Sequence, residues 1–150
     1  MAVEEITNYI CVSDRIASSG QPREFEFKDI AQAGFEVVIN LAMPNSENAI
    51  PEEGYIVTAR KMQYIHIPVP FEAPTSVNIR DFISVMNAYN DKKVWVHCVV
   101  NYRASAFLFL YMKLVNNCTT EVARKVILES WKPNDVWMRF MEISKDDISL

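Results

Sequence analysis

The chain has 150 residues, half of them hydrophobic, which is enough for about one globular domain whose core needs neither a metal ion nor a disulfide. A formal net charge of -4 excludes a general surface for nucleic acid or for an anionic membrane, so any anion that binds has to be held at a local site. No segment has the basic region and apolar run of a signal peptide or the length of a membrane span, and we therefore expect residues 1–150 to form a single cytoplasmic domain.

The first part of the chain alternates between strand and helix patterns. Residues 8–20 are predicted to form one or two short strands that end in a turn, and residues 24–34 to form a helix that stops at Gly34. Residues 35–42 are a run of apolar and β-branched residues, which is typical of a strand covered on both faces. After a loop, a second helix is predicted over residues 52–62.

The alternation continues through the middle of the chain and then stops. A strand over residues 64–70 is closed by prolines, and an amphipathic helix over residues 75–90 has Thr75 or Ser76 available as its cap. Another buried strand is predicted over residues 92–97. Beyond it we find only helical patterns, over residues 104–115, 119–131 and 134–143.

This order of elements predicts βαβ units, and hence an α/β fold with a mainly parallel central sheet flanked by helices and a helical C-terminal third. In open sheets of this kind, ligands bind beyond the carboxyl ends of the strands. The predicted site is therefore the junction between the strand that ends at His97 and the helix that begins near Ala104.

Three widely spaced cysteines, Cys11, Cys98 and Cys118, are typical of reduced thiols rather than of a disulfide framework. The two histidines, His66 and His97, both lie on predicted strands, so we predict no metal site and no cofactor. We expect His66 to be a structural residue and His97 to hydrogen-bond the backbone and shape the adjoining loop. Since none of the three thiols is needed for a disulfide, one of them is available for chemistry.

Cys98 is that candidate because of where it lies. A loop that runs from a strand into a helix N-terminus directs backbone N–H groups at one point, and the helix dipole adds positive charge there. A thiol at that point is expected to exist largely as the nucleophilic thiolate. Arg103 follows on the same loop, and its planar guanidinium is suited to holding two oxygens of a phosphate or sulfate.

The segment "VHCVVNYRAS", residues 96–105, resembles the phosphate-binding loop of protein tyrosine and dual-specificity phosphatases, in which His-Cys is followed by five residues, Arg, and then Ser or Thr. Together with "SSGQP", "GFEVVINLAMP" and "YIHIPVPFEAPT", it is similar to a bacterial family of small tyrosine-phosphatase-like proteins related to the phosphatase-like domain of β-lactamase-like hydrolases. The resemblance begins at about Ser18, continues to the helices after the loop, and implies a fold of the phosphotyrosine phosphatase II type.

The loop departs from the phosphatase pattern at two positions. The phosphatase spacing requires the arginine at position 104, which is Ala104 here, and Arg103 stands one residue earlier. Asn101 takes the place of the usual loop glycine. Asparagine adopts positive φ more readily than most residues, so we expect the turn to be kept. The sequence leaves open whether Arg103 points into the loop or away from it. The predicted phosphate-binding loop consists of His97, Cys98, Val99, Val100, Asn101, Tyr102, Arg103 and Ala104.

The resemblance implies a two-step phosphoryl transfer. Cys98 attacks phosphorus, Arg103 and the loop amides hold the oxygens, and the hydroxyl of Ser105 stabilises the leaving thiolate. The general acid in such phosphatases lies on the loop that here spans residues 68–75, where Glu72 is the only carboxylate. Glu72 is therefore the candidate acid, with an ordinary exposed glutamate as the alternative reading. The substrate implied is a phosphorylated small molecule or a phosphoprotein, and no feature of the sequence specifies an oligomeric state.

Two other functions share these residues. The spacing from Cys98 to Arg103 also resembles the loop of rhodanese-type sulfurtransferases, which carry a persulfide sulfur. A histidine before the cysteine and an all-helical tail after it favour the phosphatase reading. Three departures suit a third possibility, a catalytically silent module that binds anions: the early arginine, the missing loop glycine, and the absence from residues 68–75 of the aspartate that is the general acid in tyrosine phosphatases.

Overall fold

The computed structural model describes residues 2–149, and a five-stranded sheet forms the centre of this part of the chain. The strands are β1 (Ile10–Cys11), β2 (Ile16–Ser19), β3 (Val37–Asn40), β4 (Gln63–His66) and β5 (Val94–His97). Their order across the sheet is β1-β2-β5-β3-β4, and every pair is parallel except the β1–β2 hairpin at one edge. The predicted α/β fold with a mainly parallel sheet is confirmed.

Six α-helices surround the sheet within residues 2–149. They are α1 (Glu26–Gln32), α2 (Glu53–Ala59), α3 (Ser76–Ala88), α4 (Tyr102–Leu114), α5 (Thr120–Arg124) and α6 (Asp135–Phe140), with short 3-10 helices over Ala2–Glu5 and Asp146–Ile148. In the described residues β5 is followed by helices alone, as predicted. None of the helices in this range has both the length and the apolar character that a membrane span requires.

The sheet separates two apolar layers. On one face, Trp95 and Val38 pack with Phe27 and Ile30 of α1. On the other, the strand residues pack with α3, α4 and α6, and Phe107 of α4 lies in that layer. All four residues of both β3 and β5 are buried, which is the pattern that their continuous apolar sequences predict.

Several helix ends form where the sequence predicts them. Gly34 adopts φ +92° just after α1, a conformation that favours glycine. Thr75 caps α3: its side-chain oxygen accepts from the Asn78 N–H at 3.1 Å, and the Asn78 side chain accepts from the Thr75 N–H at 3.0 Å. Of the two predicted candidates, Thr75 is thus the cap.

Most helices are shorter than their predicted ranges, and two of the differences affect the site. The helix after the loop begins at Tyr102 rather than Ala104, because Asn101 already makes the turn that starts it. The predicted helix over residues 119–131 is confined to Thr120–Arg124. The chain turns away after it, and the Leu128 N–H donates to Ser105 Oγ at 3.3 Å instead of continuing a helical ladder. This bond joins the segment after α5 to α4, a long-range contact that local sequence cannot predict.

Candidate functional site

The candidate site lies at the carboxyl end of β5, between its two parallel neighbours. His97 is paired in register with Ser19 of β2 and with Asn40 of β3. The chain then runs through residues 98–101 into α4. This is the position that the sheet topology predicts for a ligand site.

Cys98 is fully buried, with an exposed fraction of 0%. Its N–H donates to the Ser19 carbonyl oxygen at 3.4 Å, and its side chain belongs to the apolar layer beneath α4. A substrate therefore reaches Sγ only if the covering residues move.

The backbone of the loop is held from the N-terminal side. The carbonyl oxygen of Val99 accepts from the Gln21 N–H at 2.8 Å, and that of Val100 accepts from Asn8 Nδ2 at 2.9 Å. In a trans peptide the N–H points opposite to the C=O, so the N–H groups of Val100 and Asn101 face away from the N-terminal residues. The orientation matches a loop that presents its amides to an anion.

Asn101 has φ 72°, which confirms that asparagine takes the left-handed conformation at the glycine position of the loop. Its Nδ2 donates to the Asn8 carbonyl oxygen at 2.7 Å and to Ser18 Oγ at 3.0 Å. Its Oδ1 is buried and has no hydrogen-bond partner among the described residues. Asn101 thus connects the loop both to β2 and to the N-terminal segment.

Arg103 extends from the start of α4 towards the connection between β4 and α3. It is 7% exposed, its Nη1 donates to the Val69 carbonyl oxygen at 2.9 Å, and its guanidinium carbon lies 5.8 Å from the centre of the Phe71 ring. Its Nε is buried and has no hydrogen-bond partner in residues 2–149. The guanidinium is therefore held at Nη1 by Val69, while its Nε–H is a donor without a protein acceptor among the described residues.

A cavity of about 580 Å³ adjoins Arg103 and brings together three connections of the chain. It is lined by Met43, Asn45, Ser46, Glu47, Pro70, Phe71, Glu72, Val99, Val100, Tyr102 and Arg103. Glu72, the predicted acid, is exposed at this cavity together with Arg103. Cys98 does not belong to its wall, so the structure gathers the arginine and the carboxylate but keeps the thiol beneath them.

Ser105 is engaged elsewhere. Its hydroxyl donates to the Tyr102 carbonyl oxygen at 3.3 Å and accepts from the Leu128 N–H at 3.3 Å. Since a hydroxyl has a single hydrogen, Ser105 has to rotate away from Tyr102 before it can donate to Cys98 Sγ. In this conformation it stabilises the packing of α4.

His97 contacts the backbone as predicted, and it also has a partner that the sequence did not suggest. Its Nδ1 lies 3.1 Å from the Cys98 carbonyl oxygen, and its Nε2 lies 2.6 Å from Glu53 Oε2. Glu53 Oε1 in turn accepts from Gln21 Nε2 at 2.7 Å. All three side chains are buried, which makes a continuous polar network behind the loop.

Glu53 was missed because it sits inside a predicted helix with no motif around it. The only available signal was Gln21 in the "SSGQP" segment, which resembles the family but is also explained by an ordinary turn. His66 is a structural residue as predicted, with its Nε2 2.7 Å from the Ala42 carbonyl oxygen.

Tyr64 lies beside this network. Burial and the neighbouring charge of Glu53 raise the pKa of Tyr64 to about 12, and its hydroxyl accepts from Asn40 Nδ2 at 3.0 Å. Tyr64 is therefore a neutral phenol over the whole physiological range.

A mainly parallel sheet with a Cys-to-Arg loop between its central strand and a buried helix defines the class of cysteine-phosphatase-like folds. The chain belongs to the family described as PTP-NADK, DSP-PTPase phosphatase fused to NAD+ kinase, whose model matches residues 11–138. The predicted relationship to tyrosine and dual-specificity phosphatase-like proteins is confirmed by this match. A comparison with curated proteins finds no match.

Solved structures give the same result. A DUF442 protein from Shewanella putrefaciens CN-32 is 33% identical, with a TM-score of 0.84 over 93% of this chain and 92% of that one. The core catalytic domain of the PP-IP phosphatase SIW14 from S. cerevisiae is 16% identical, with a TM-score of 0.74 over 96% and 90% of the two chains. TpbA from P. aeruginosa, in complex with pTyr, is 12% identical, with a TM-score of 0.66 over 95% and 79%. The last two share the fold with this chain.

Proposed function

We propose that this protein is a cysteine-dependent phosphatase that hydrolyses phosphate monoesters of a small molecule or a protein through a phosphocysteine at Cys98. The observation that carries the proposal is the buried Arg103, whose Nε has no partner in the described residues and which lines a cavity beside the loop amides. A buried guanidinium donor without a partner is costly unless an oxyanion completes it. Family membership is consistent with that anion being a phosphate.

In the proposed mechanism, Cys98 Sγ forms a bond to phosphorus as the ester oxygen leaves with the electron pair of the P–O bond. Arg103 Nε and the N–H groups of Val100 and Asn101 stabilise the equatorial oxygens. Water then attacks the phosphocysteine, which releases inorganic phosphate and restores the thiolate.

The burial of Cys98 adds a condition to this mechanism. In-line attack requires the phosphorus to approach Sγ closely, so the proposed mechanism includes a movement of the residues that cover Sγ when substrate enters. Hydrogen bonds to Asn8, Ser18 and Gln21 hold the loop itself in place.

Glu72 is the proposed general acid. It lies on the connection between β4 and α3 and lines the same cavity as Arg103. Being exposed, it has access to solvent protons as well as to the substrate.

One observation favours a second candidate, the anion-binding module without turnover. Cys98 is completely covered, whereas Arg103 already borders the cavity. In that case phosphate binds at Arg103 and the thiol takes no part.

The deciding experiment combines alkylation of Cys98 with turnover of para-nitrophenyl phosphate. It uses a Cys11→Ser/Cys118→Ser background, because both of those thiols are more exposed than Cys98, and it uses Cys98→Ser as the blank. Turnover that disappears in Cys98→Ser, with vanadate protecting Cys98 from alkylation, supports the phosphatase. Phosphate binding that is the same with and without the thiol, in the absence of turnover, supports the silent module. Consumption of thiosulfate that depends on Cys98 would contradict both of these functions and support a sulfurtransferase.

A further inference from the structure

The buried polar network behind the loop, formed by His97, Glu53 and Gln21, does not contact the cavity beside Arg103. His97 and Glu53 have side-chain exposures of 0% and 2%, so their contact is made out of reach of solvent. Phe27 covers the imidazole from one side, with the two ring centres 6.3 Å apart. Apolar residues of similar volume often stabilise a core as well as a buried ion pair does, so stability alone does not account for this pair.

The partners of His97 determine where its protons lie. The Cys98 carbonyl oxygen only accepts hydrogen bonds, so Nδ1 has to carry a proton for the 3.1 Å contact to be favourable. At Nε2, a second proton is shared with Glu53 Oε2 over 2.6 Å. The ring is thereby fixed in one orientation by a carbonyl acceptor at Nδ1 and a carboxyl group at Nε2.

Gln21 completes the arrangement from two directions. Its side-chain Nε2 donates to Glu53 Oε1 at 2.7 Å, and its backbone N–H donates to the Val99 carbonyl oxygen at 2.8 Å. The carbonyl groups of Cys98 and Val99, two successive residues of the loop, are thus held by one connected set of side chains and backbone. Carbonyl groups that are pinned on one side oblige the following amides to face the other side, where an anion would bind.

We propose that Glu53 and Gln21 are positioning residues that hold His97 with a proton on Nδ1, and so set the direction of the loop amides. The proposal rests on the proposed phosphatase function for its catalytic consequence. Neither residue touches substrate. They act through His97 and the backbone.

The conservative variant follows from the geometry. In Glu53→Gln, Gln21 Nε2 still donates to Oε1 of residue 53, so the new amide nitrogen faces His97 Nε2 and donates to it. The imidazole is then neutral but keeps its proton on Nδ1 and its bond to the Cys98 carbonyl group. Glu53→Ala removes the carboxyl group and leaves His97 Nε2 without this partner.

The test measures the ring nitrogens and the kinetics together. Long-range ¹H–¹⁵N NMR spectra report which nitrogen of His97 is protonated, and His66→Gln assigns the signals because the chain has two histidines. We expect a proton on Nδ1 in the wild type and in Glu53→Gln. We expect kcat for para-nitrophenyl phosphate in Glu53→Gln to stay within a few-fold of the wild-type value. In Glu53→Ala we expect kcat to fall by about tenfold or more, because the loop amides are no longer directed at the anion.

An unprotonated Nδ1 in the folded wild type overturns the inference, and so does a folded Glu53→Ala protein with wild-type kcat and KM. If Glu53→Ala does not fold, the spectrum of Glu53→Gln decides. Loss of the Nδ1 proton in that variant refutes the proposed positioning of His97. If the wild type has no turnover, the proposed function fails, while the NMR spectra still test the network.

Discussion

Arg103 and Val69 are joined by a hydrogen bond of 2.9 Å from Nη1 to the carbonyl oxygen, which ties the start of α4 to the connection that carries Glu72. The bond occupies one end of the guanidinium and leaves Nε for an incoming anion. A single side chain thereby links two loops of the candidate site.

Replacing Arg103 with lysine tests whether one side chain both bonds the Val69 carbonyl group and binds an anion. An ammonium group cannot bond Val69 and present a second fixed donor in the same plane, so we expect affinity for vanadate or phosphate to fall by about tenfold or more. Isothermal titration of the folded variant measures this, and Arg139→Lys, at an exposed position on α6, is the matched control. Equal affinities in both variants would show that Arg103 is not an anion ligand.

Glu72→Gln is expected to slow the hydrolysis of alkyl phosphates more than that of para-nitrophenyl phosphate, because a good leaving group needs less protonation. Glu47→Gln is the control, since Glu47 is also exposed and borders the same cavity. The measurement is the ratio of kcat/KM for the two substrates. If both variants change that ratio alike, the effect is one of charge, and Glu72 is not the acid.

Gly20→Ala is expected to destabilise the fold and displace the loop. A Cβ at this position would lie 2.5 Å from the Val99 carbonyl oxygen, so the backbone has to shift, at a cost of about 1–3 kcal/mol in the free energy of unfolding. Urea unfolding measures the loss. Gly54→Ala, where the nearest atom is a Tyr64 ring carbon at 3.1 Å, should lose less, and a reversed order would contradict the close approach of the two loops.

At Asn101, two substitutions distinguish backbone strain from hydrogen bonding. Asn101→Ala loses the bonds to Asn8 and Ser18 and also places alanine at φ 72°, whereas Asn101→Gly loses only the bonds. Alanine should therefore be less stable than glycine by about 1 kcal/mol, and both less stable than the wild type. Thermal or urea unfolding of the three proteins gives the order, which an alanine variant as stable as the glycine variant would refute.

The raised pKa of Tyr64 predicts a loss of stability in alkali. The folded protein binds the phenolic proton more tightly than the unfolded chain does, so the contribution is complete below pH 10 and disappears as the pH rises through 10 to about 12. Partial exposure reduces it to the order of 1 kcal/mol. The difference in unfolding free energy between wild type and Tyr64→Phe should shrink or reverse over that interval. A constant difference would contradict the shift.

The sequence was sufficient for features that depend on local pattern. The buried strands β3 and β5, the glycine that ends α1 and the cap at Thr75 all follow from residue type and spacing. The site at the end of β5 follows from the parallel topology.

Features set by distant partners were not predictable. The direction of Arg103 is fixed by a carbonyl group 34 residues away, and the partner of His97 lies 44 residues away, in a helix with no distinguishing motif. The burial of Cys98 depends on how the whole loop packs over it. Sequence spacing places these residues at one edge of the sheet but does not orient them.

The contacts of Asn8 with the loop have a consequence for folding order. Asn8 Nδ2 and the Val100 carbonyl oxygen are 92 residues apart in the chain, so the bond forms only after most of the polypeptide has been brought together. The loop above the thiol is therefore completed only when residues 2–9 pack against it, late in folding.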